Sequence, residues 1–488
     1  MQTNGARHAG VSLLAGWLPL TLQLVAGVAL VSSVVWLARR GHRRRLVGLL
    51  PAVALAAILA VAATWWCLRG QELDSDPPPI AMWLWIGLTG AAAAMIVLGW
   101  RWIGWRRRSL SVLAAGLTLL GFGIQVNYWV GYFPTLSEAW GQLTAGPMPD
   151  QIDPARLDAL RGTSMNTGKL VAIATPDDVS HFTHRSEYVY LPPAWFATDR
   201  PTLPALMMIG GEFSTPTDWI RTGNAIATVD RYAQAHQGLA PVLVFADSTG
   251  SFRNDTECVD GPRGHAAEHL TRELRPYIIS HFGTAASARQ WGVVGWSTGG
   301  TCAVDLGVTH PELFATFEDI QGDLGPNAGN TQQTIASLYA GNAQTWATFD
   351  PMTVMAHHTP YVDSAGWFDN APAGNKPITS HPRTNKNATT APGGLAGYGR
   401  RPDPAPASMQ GQQAAEAATL CTEATSKNIA CTLHTQPGKH TWQFASTAFA
   451  EALPWLSGCL SASPATPTAV PAAGAALSKL SPSGGVTS

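Results

Sequence analysis

Gly295-Trp296-Ser297-Thr298-Gly299-Gly300 follows the apolar run 291–294 and opens into a helix-compatible segment, 301–308. The pattern G-x-S-x-G between a strand and a helix is typical of a sharp turn that lifts a serine hydroxyl clear of its surroundings. Glycines on both sides of the serine let the backbone bend without steric conflict. The stretch therefore predicts that Ser297 is a reachable nucleophile at the end of a strand.

Short apolar or alternating runs, bounded by turn residues, recur along the chain and predict β-strands. They lie at residues 169–174, 187–191, 205–209, 241–246, 291–294, 315–320, 361–368 and 431–435. Helix-like segments at 265–282, 410–426 and 442–456 alternate with them. The alternation predicts an α/β fold with a mostly parallel central sheet, whose ligand site lies beyond the carboxyl ends of the strands.

The first 137 residues contain four stretches without Asp, Glu, Lys or Arg, at 11–38, 46–68, 77–100 and 109–137. Each can span a bilayer, which takes about 20 apolar residues. Tryptophans lie near several of their ends, where aromatic rings settle at the water boundary. The stretches predict an all-α transmembrane domain, residues 1–132, with four helices near 13–37, 46–67, 79–100 and 109–132.

Arginine clusters in the short loops at 39–45 and 101–108 predict that both loops face the cytoplasm. The N-terminus and everything after the fourth helix then lie outside. This predicts a multi-pass protein of the bacterial cell membrane, with an extracytoplasmic C-terminal domain and the lipid bilayer as a partner. The net charge of -1 gives no overall bias toward nucleic acid, so no nucleic-acid partner is predicted.

Five of the six cysteines fall in this exported part, where disulfides are permitted. Cys421 and Cys431 are close enough in sequence to close a small loop, and Cys258 is a candidate partner for Cys302. Because five is an odd number, at least one exported thiol is expected to be left over.

Composition divides the exported part. Residues 133–167, rich in Pro and polar side chains, predict a linker, and residues 168–460 form the α/β domain. Residues 461–488 are too poor in large apolar groups to pack and predict a disordered tail. Residues 370–407 predict an inserted surface loop or, alternatively, a lid over the substrate.

A serine hydroxyl is a weak nucleophile until an adjacent base removes its proton, so Ser297 needs a histidine held by a carboxylate. His440 lies in the loop Pro437-Gly-Lys-His440 before the final helix, from which an imidazole can reach the nucleophile. Other histidines after Ser297 are His357, His358, His381 and His434. His434 falls within a predicted strand and His381 within the inserted loop, so we assign the base to His440.

The acid is predicted to be Asp369, which comes directly after the strand 361–368, where a carboxylate could orient His440. Asp363 is a second candidate in the same region. Glu318, Asp319 and Asp323 are the candidates if the acid follows the preceding strand.

The tetrahedral intermediate needs two backbone donors aimed at its oxygen. The residue after the nucleophile, Thr298, supplies one. The second is predicted from the loop after the strand 205–209, at the N–H of Gly211 or Glu212.

Four segments together resemble a known family: Tyr188-Val-Tyr-Leu-Pro-Pro193, the Gly210-Gly211 turn, the Ser297 turn and Gly438-Lys-His440-Thr-Trp442. They are similar to the esterase family that includes the esterase D-like enzymes and the antigen 85 mycolyltransferases, over about residues 169–456. The resemblance implies an α/β-hydrolase fold, a Ser-His-acid triad containing Ser297 and His440, and an acyl-enzyme intermediate. The mycolyltransferases use a glutamate where Asp369 is predicted here, and the residues after Ser297 differ from theirs.

Acidic residues follow the strand 241–246 and are predicted to lie at the rim of the site. Asp255 and Glu257, together with Trp296, are predicted to bind the substrate. The acids would suit a cationic ester such as an aminoacylated phospholipid. A loop of solvated acids without a function is the competing interpretation.

The sequence thus predicts a membrane-anchored serine esterase that hydrolyses a lipid or cell-envelope ester through an acyl-Ser297 intermediate. The competing hypotheses are an acyltransferase of the mycolyltransferase type and a non-catalytic membrane scaffold with a hydrolase shell. A transporter is disfavoured because the spans hold no acidic or basic residue. No metal or other cofactor is predicted, because His357-His358 lacks the spacing of a ligand set and no phosphate-binding loop occurs.

Overall fold

The structure is a computed structural model, and it describes residues 11–37, 43–70, 78–100, 104–130, 132–133, 135–144, 148–252, 254–372 and 409–461. It begins with four helices that follow the uncharged stretches of the sequence. They are α1 (Trp17–Leu37), α2 (Arg43–Gly70), α3 (Ile80–Gly99) and α4 (Trp105–Val130). Both α1 and α3 pack against α4, and α2 packs against α3.

Three stretches of the described helices are long and apolar enough to cross a membrane: Gly48–Leu68, Ile80–Gly99 and Arg108–Val130. In α1 the strongly apolar stretch, Trp17–Ser32, is shorter. The predicted count of four spans is therefore supported for three helices. Large apolar side chains such as Trp66, Leu84 and Val97 are exposed on these helices, an arrangement that hydrocarbon accommodates and water does not.

A nine-stranded sheet lies at the centre of the C-terminal domain. The strands of the described residues are, in chain order, β1 (Gln151–Ile152), β2 (Lys169–Ile173), β3 (Glu187–Leu191), β4 (Ala205–Ile209), β5 (Val242–Phe245), β6 (Asp260–Gly261), β7 (Gly264–His265), β8 (Trp291–Trp296), β9 (Thr316–Ile320), β10 (Ala365–Asn370) and β11 (Ala430–Thr435). The order across the sheet is β1-β2-β3-β5-β4-β8-β9-β10-β11, and β6 pairs with β7 apart from it.

The pairings β2–β3 and β3–β5 are antiparallel, and the other pairings of the large sheet are parallel. This confirms the predicted α/β-hydrolase fold with a mostly parallel sheet. Every residue of β4, β5 and β8 is buried. Such central strands read as continuous apolar runs because helices cover both faces of the sheet.

The remaining helices are α5 (Leu136–Leu143), α6 (Pro216–Arg221), α7 (Ala225–Ala235), α8 (Ala266–Glu268), α9 (Arg275–Phe282), α10 (Thr298–Thr309), α11 (Thr331–Leu338), α12 (Ala343–Phe349), α13 (Pro351–His357), α14 (Met409–Ser426) and α15 (Trp442–Ser461). The predicted helix at 265–282 consists of α8, a π-helical turn at His269–Leu274, and α9. One core cluster joins the sheet to α9, α10 and α14, and a second joins its other face to α7 and α15.

The sheet begins before the predicted domain boundary at residue 168. Within the predicted linker 133–167 the chain forms α5 and then β1, which pairs in parallel with β2. A strand of two residues leaves no periodic pattern in a sequence, so its pairing could not be anticipated. The predicted tail 461–488 and the predicted insertion 370–407 lie outside the described residues, apart from Ser461 and residues 370–372.

Two disulfide bonds link Cys258 to Cys302 and Cys421 to Cys431, while Cys459 is a free thiol. Both pairings match the candidates seen in the sequence. The first joins the segment after β5 to α10, across a sequence separation of 44 residues. Closing a loop of that length is worth roughly 3–4 kcal/mol of stability, and it holds this segment near the turn that carries Ser297.

Candidate active site

Ser297 lies between β8 and α10 with a backbone φ of 58° and ψ of -127°. Non-glycine residues rarely adopt such a conformation, which costs about 1–3 kcal/mol and occurs at functional turns. The turn is held because Ser297 N donates to Ile320 O at 2.9 Å and Ser297 O accepts from Gly300 N at 2.7 Å. A Cβ on Gly295 would lie 1.7 Å from the carbonyl oxygen of Gly299, so this tight turn requires glycine at residue 295.

His440 lies beside Ser297, with its Nε2 2.9 Å from the serine Oγ. The two residues are 143 positions apart in sequence, and the segment between β11 and α15 brings the imidazole to the end of β8. A nucleophile and a general base at this separation can exchange a proton directly. The pair that the sequence predicted is therefore brought together by the fold.

Trp296 packs beside the imidazole of His440 and is almost completely buried. It is 6% exposed, and its ring lies 5.1 Å from that of His440 and 4.5 Å from that of Trp442 between centroids. The predicted contact of Trp296 with the substrate stays a prediction, which this small exposed fraction limits to the edge of the ring. Trp296 is the last residue of β8, and its side chain packs on the sheet face that α15 covers. Successive side chains of a strand point to opposite faces of the sheet.

The second ring nitrogen of His440, Nδ1, is buried and has no hydrogen-bond partner among the described residues. Burial disfavours the charged imidazolium, and this desolvation lowers the pKa of His440 to about 4. The ring is neutral at pH 7 and is able to accept the proton of Ser297.

We expect kcat/KM for a soluble ester to stay level as the pH falls below 7 and to decline only as the pH passes through about 4. The reactive form is the neutral imidazole, which persists to a lower pH here than in an ordinary histidine, whose pKa is about 6.5. A pH–rate profile of the purified enzyme measures this limb. A decline centred near pH 7 would contradict the expectation and would mean that the imidazole of His440 is solvated or paired with a carboxylate in the working enzyme.

Asp369 makes no hydrogen bond to His440, whose Nδ1 has no partner among the described residues, and this differs from the predicted triad. Its Oδ1 lies 2.5 Å from His434 Nδ1, and its Oδ2 accepts a hydrogen bond from Trp367 Nε1 at 2.5 Å. His434 stands opposite Asp369 in the register of β10 and β11, so the neighbouring strand captures the carboxylate. The hydrogen bond to Asp369 also raises the pKa of His434.

Four more acids were candidates for the triad, and none of them completes it, because Nδ1 of His440 has no partner among the described residues. Glu318 is fully buried, and its pKa is raised by burial and by the charge of Asp369. The remaining three carboxylates each have a partner elsewhere: Asp363 pairs with Arg289, Asp319 accepts from Gly322 N, and Asp323 accepts from Asn327 Nδ2.

The other histidines have separate surroundings. His357 is exposed near the end of α13, and the ring of His358 stacks on that of Tyr361 with centroids 4.0 Å apart. His381 lies outside the described residues.

The loop after β4 lies directly against the nucleophile. A Cβ on Gly211 would be 2.9 Å from Ser297 Cβ, and β4 runs parallel to β8 with Ile209 opposite Gly295. Thr298 begins α10, where the first N–H groups lack partners within the helix and the helix dipole favours negative charge. The segments that carry both predicted oxyanion donors therefore meet at one edge of the sheet, and Glu212 follows Gly211 there.

Four carboxylates gather near this edge: Glu212, Asp255, Glu257 and Asp323. Burial raises the pKa of Glu257 well above its usual range, and the charges of the other three raise it further. Glu257 Oε2 is buried without a hydrogen-bond partner among the described residues. The sequence indicated Asp255 and Glu257 as a group, whereas Glu212 and Asp323 join them because β4 and β9 end at the same edge.

A second polar cluster, which the sequence did not indicate, is formed by His184, Glu187 and His269. Their ligand-type atoms lie within 4.8 Å of one another. The oxygens of Glu187 accept hydrogen bonds from Thr175 Oγ1 at 2.6 Å and Asp247 N at 2.9 Å. His269 lies between Glu187 and Glu273, at 3.3 and 2.9 Å. These internal bonds indicate a structural network that fixes β3 against the π-helical turn.

The chain is similar to several known proteins. The family model described as Putative esterase matches residues 183–456. An uncharacterized protein of Corynebacterium glutamicum is 28% identical over 340 residues, which cover 68% of this chain and 78% of the relative.

Among solved structures, an S-formylglutathione hydrolase from Agrobacterium tumefaciens is similar with a TM-score of 0.45 and 16% identity, covering 61% of this chain and 98% of that one. A ferulic acid esterase gives a TM-score of 0.44 with 14% identity, covering 60% and 99% of the two chains. MPT51 of Mycobacterium tuberculosis gives 0.38 with 16% identity, covering 59% and 100%.

Proposed function

Because the chain belongs to the putative esterase family, we propose that it is a membrane-anchored serine esterase that hydrolyses an ester of a lipid or other cell-envelope component. The observation that carries the catalytic part is the 2.9 Å contact between Ser297 Oγ and His440 Nε2 on a strand-to-helix turn. The anchoring part rests on the helices long and apolar enough to cross a membrane.

In the proposed reaction, His440 Nε2 takes the proton of Ser297 as its Oγ attacks the carbonyl carbon of the ester. The N–H groups of Thr298 and of Gly211 or Glu212 stabilise the oxyanion. Its collapse breaks the bond to the alcohol, which leaves with the proton from His440, and acyl-Ser297 remains. Water then attacks the acyl carbon while His440 takes its proton, and the carboxylic acid departs as Ser297 regains its hydrogen.

The proposed orientation places the esterase domain outside the cytoplasm and the N-terminus on the same side. The arginine-rich loops at 39–45 and 101–108 support it through the excess of positive charge that cytoplasmic loops carry. The disulfides Cys258–Cys302 and Cys421–Cys431 also support it, because such bonds persist in oxidising compartments.

The proposed substrate class is an ester that carries a cationic group, such as an aminoacylated phospholipid. Its ammonium group is one carbon away from the ester carbonyl, so it would lie within a few ångströms of Ser297 during attack. Near this point the charges of Asp255, Asp323 and Glu212 act on the buried carboxyl group of Glu257, and a positive charge among them would offset this repulsion. Anchoring in the bilayer raises the local concentration of such a lipid.

We expect Asp255→Asn to lower kcat/KM for an alanyl ester by about 10-fold, the effect of a lost interaction of about 1.4 kcal/mol. The same ester with its amine acetylated should be affected less than about 2-fold, because it has no charge to lose. Hydrolysis of the two matched esters by the full-length protein in detergent measures this. Asp199→Asn, which changes an exposed acid outside this group, is the control, and an equal loss with both esters would contradict the substrate class.

A further inference from the structure

The last membrane helix reaches both loops that carry the active site. Tyr128, in the final turn of α4, has the Nζ of Lys439 4.9 Å from its ring centroid, and Lys439 directly precedes His440. Tyr132, just beyond the helix, donates a hydrogen bond from its hydroxyl to Asp218 Oδ1 at 2.6 Å. Two tyrosines at one helix end therefore contact the His440 loop and the helix α6.

Asp218 connects Tyr132 to the loop that contains Gly211. Its second oxygen accepts a hydrogen bond from Thr215 N at 2.6 Å, which caps the start of α6. Ser214, the preceding residue, donates from its backbone N to Gly211 O at 3.1 Å. Asp218 is fully buried, so its position is fixed by the partners it has. The segment from Gly211 to Asp218 thus has its far end bonded to Tyr132.

The helix α6 also adjoins the His440 side of the site. Trp219, next to Asp218, packs edge-on against Trp442 with ring centroids 5.2 Å apart. Trp442 begins α15, two residues after His440. Tyr132 is therefore connected through Asp218 and α6 to Trp442. Tyr128 contacts Lys439, so both tyrosines reach the segment that contains His440.

Asn127 fixes the direction in which the chain leaves α4. Its side-chain amide donates to Phe133 O at 2.9 Å, and its Oδ1 accepts from Phe133 N at 2.7 Å. These bonds join the last turns of α4 to Phe133, the residue after Tyr132. In the sequence Asn127 is one of two neighbouring amide side chains, with Gln125, near the end of an apolar span, and the structure gives it this local role.

We propose, on the premise of the esterase function above, that the C-terminal end of α4 positions the active site. Tyr132 holds the loop that contains Gly211 through Asp218, and Tyr128 holds the loop that contains His440 through Lys439. Both tyrosines are positioning residues, since they act through these partners. The two loops are irregular segments on either side of Ser297, and a helix held in the bilayer is a rigid element that they share. A displacement of about 1 Å in such loops can cost up to about 100-fold in rate.

The test uses the full-length protein in phospholipid nanodiscs, with a soluble p-nitrophenyl ester as substrate. We expect Tyr132→Phe to lower kcat by about 10-fold and Tyr128→Leu by about 3-fold, with KM within about 2-fold in both, because the loops shift without loss of ground-state binding. Tyr128→Phe and Lys439→Arg keep the ring and the cation and should retain nearly full kcat. The double variant Tyr128→Leu/Lys439→Gln should be no slower than the slower single variant, because both remove one contact.

Fluorophosphonate labelling of Ser297 and the melting temperature are measured on every variant. Slower labelling with an unchanged melting temperature supports positioning, whereas unchanged kcat in Tyr132→Phe and Tyr128→Leu overturns it. A loss of kcat that follows a lowered melting temperature in both variants also overturns it, because the contacts would then serve stability alone. If the wild-type protein neither hydrolyses an ester nor reacts at Ser297, the esterase function fails instead, which is a distinguishable result.

Discussion

Replacing Ser297 with alanine is expected to reduce kcat/KM for a soluble p-nitrophenyl ester by a factor on the order of 10⁴ or more. The hydroxyl oxygen of Ser297 is the atom that bonds to the acyl group, and without it only direct attack by water on the ester remains. The substitution removes one oxygen from a half-buried side chain and leaves the backbone of the turn unchanged, so the protein should fold. Hydrolysis rates and fluorophosphonate labelling of the full-length protein measure the effect.

Ser287→Ala is the matched control for this experiment. Ser287 is exposed and precedes β8, so it lies toward the amino end of the strand whose carboxyl end carries Ser297, and its side chain caps no helix. Its variant should keep full activity and full labelling. Persistent hydrolysis in Ser297→Ala would show that another group is the nucleophile, and it would remove the basis of the proposed reaction.

Replacing His440 with glutamine is expected to lower kcat by a factor on the order of 10³ to 10⁴, because glutamine cannot accept the proton of Ser297. His434→Gln is the matched control. His434 is held by Asp369 and not by the serine, so its loss should cost less than about 10-fold, the scale of a positional effect. Steady-state kinetics of both variants, with Ser297 labelling rates, make the comparison.

The residual activity of His440→Gln should also lose the decline near pH 4 that the imidazole causes in the wild type. If His434→Gln proves as damaging as His440→Gln, the assignment of the base fails. Asp369 and His434 would then be part of the catalytic apparatus, and the interaction seen between them would have a chemical role.

Several features of the fold could be predicted because they rest on local pattern. The strands at Glu187–Leu191 and Ala205–Ile209 have the bounds expected from their sequence, since buried apolar runs between turn residues leave few other choices. The turn at Ser297 could also be anticipated, because glycine at 295 is a local steric requirement. The short strand β1 could not, because two residues acquire strand geometry only through a neighbour.

The candidate site also contains some residues that could be predicted from the sequence and others that could not. The serine and the histidine were identifiable because each follows a strand at the carboxyl edge, and the topology of a parallel sheet brings such positions together. The partner of Asp369 was not identifiable, because the register of β10 and β11 decides which histidine faces it. The gathering of Glu212 and Asp323 beside Glu257 likewise depends on which strands become neighbours.

The sequence alone determined the long apolar helices, the α/β alternation and the residue types at the turn that carries Ser297, because hydrophobic length, periodicity and glycine sterics act over short distances along the chain. Tertiary structure decided that His440 Nδ1 is buried without a partner among the described residues, and that Tyr128 and Tyr132 contact the catalytic loops. These facts depend on which distant segments meet and on which side chain lies within hydrogen-bond distance of a buried polar atom. Such contacts are set by packing in three dimensions, and no local pattern specifies them.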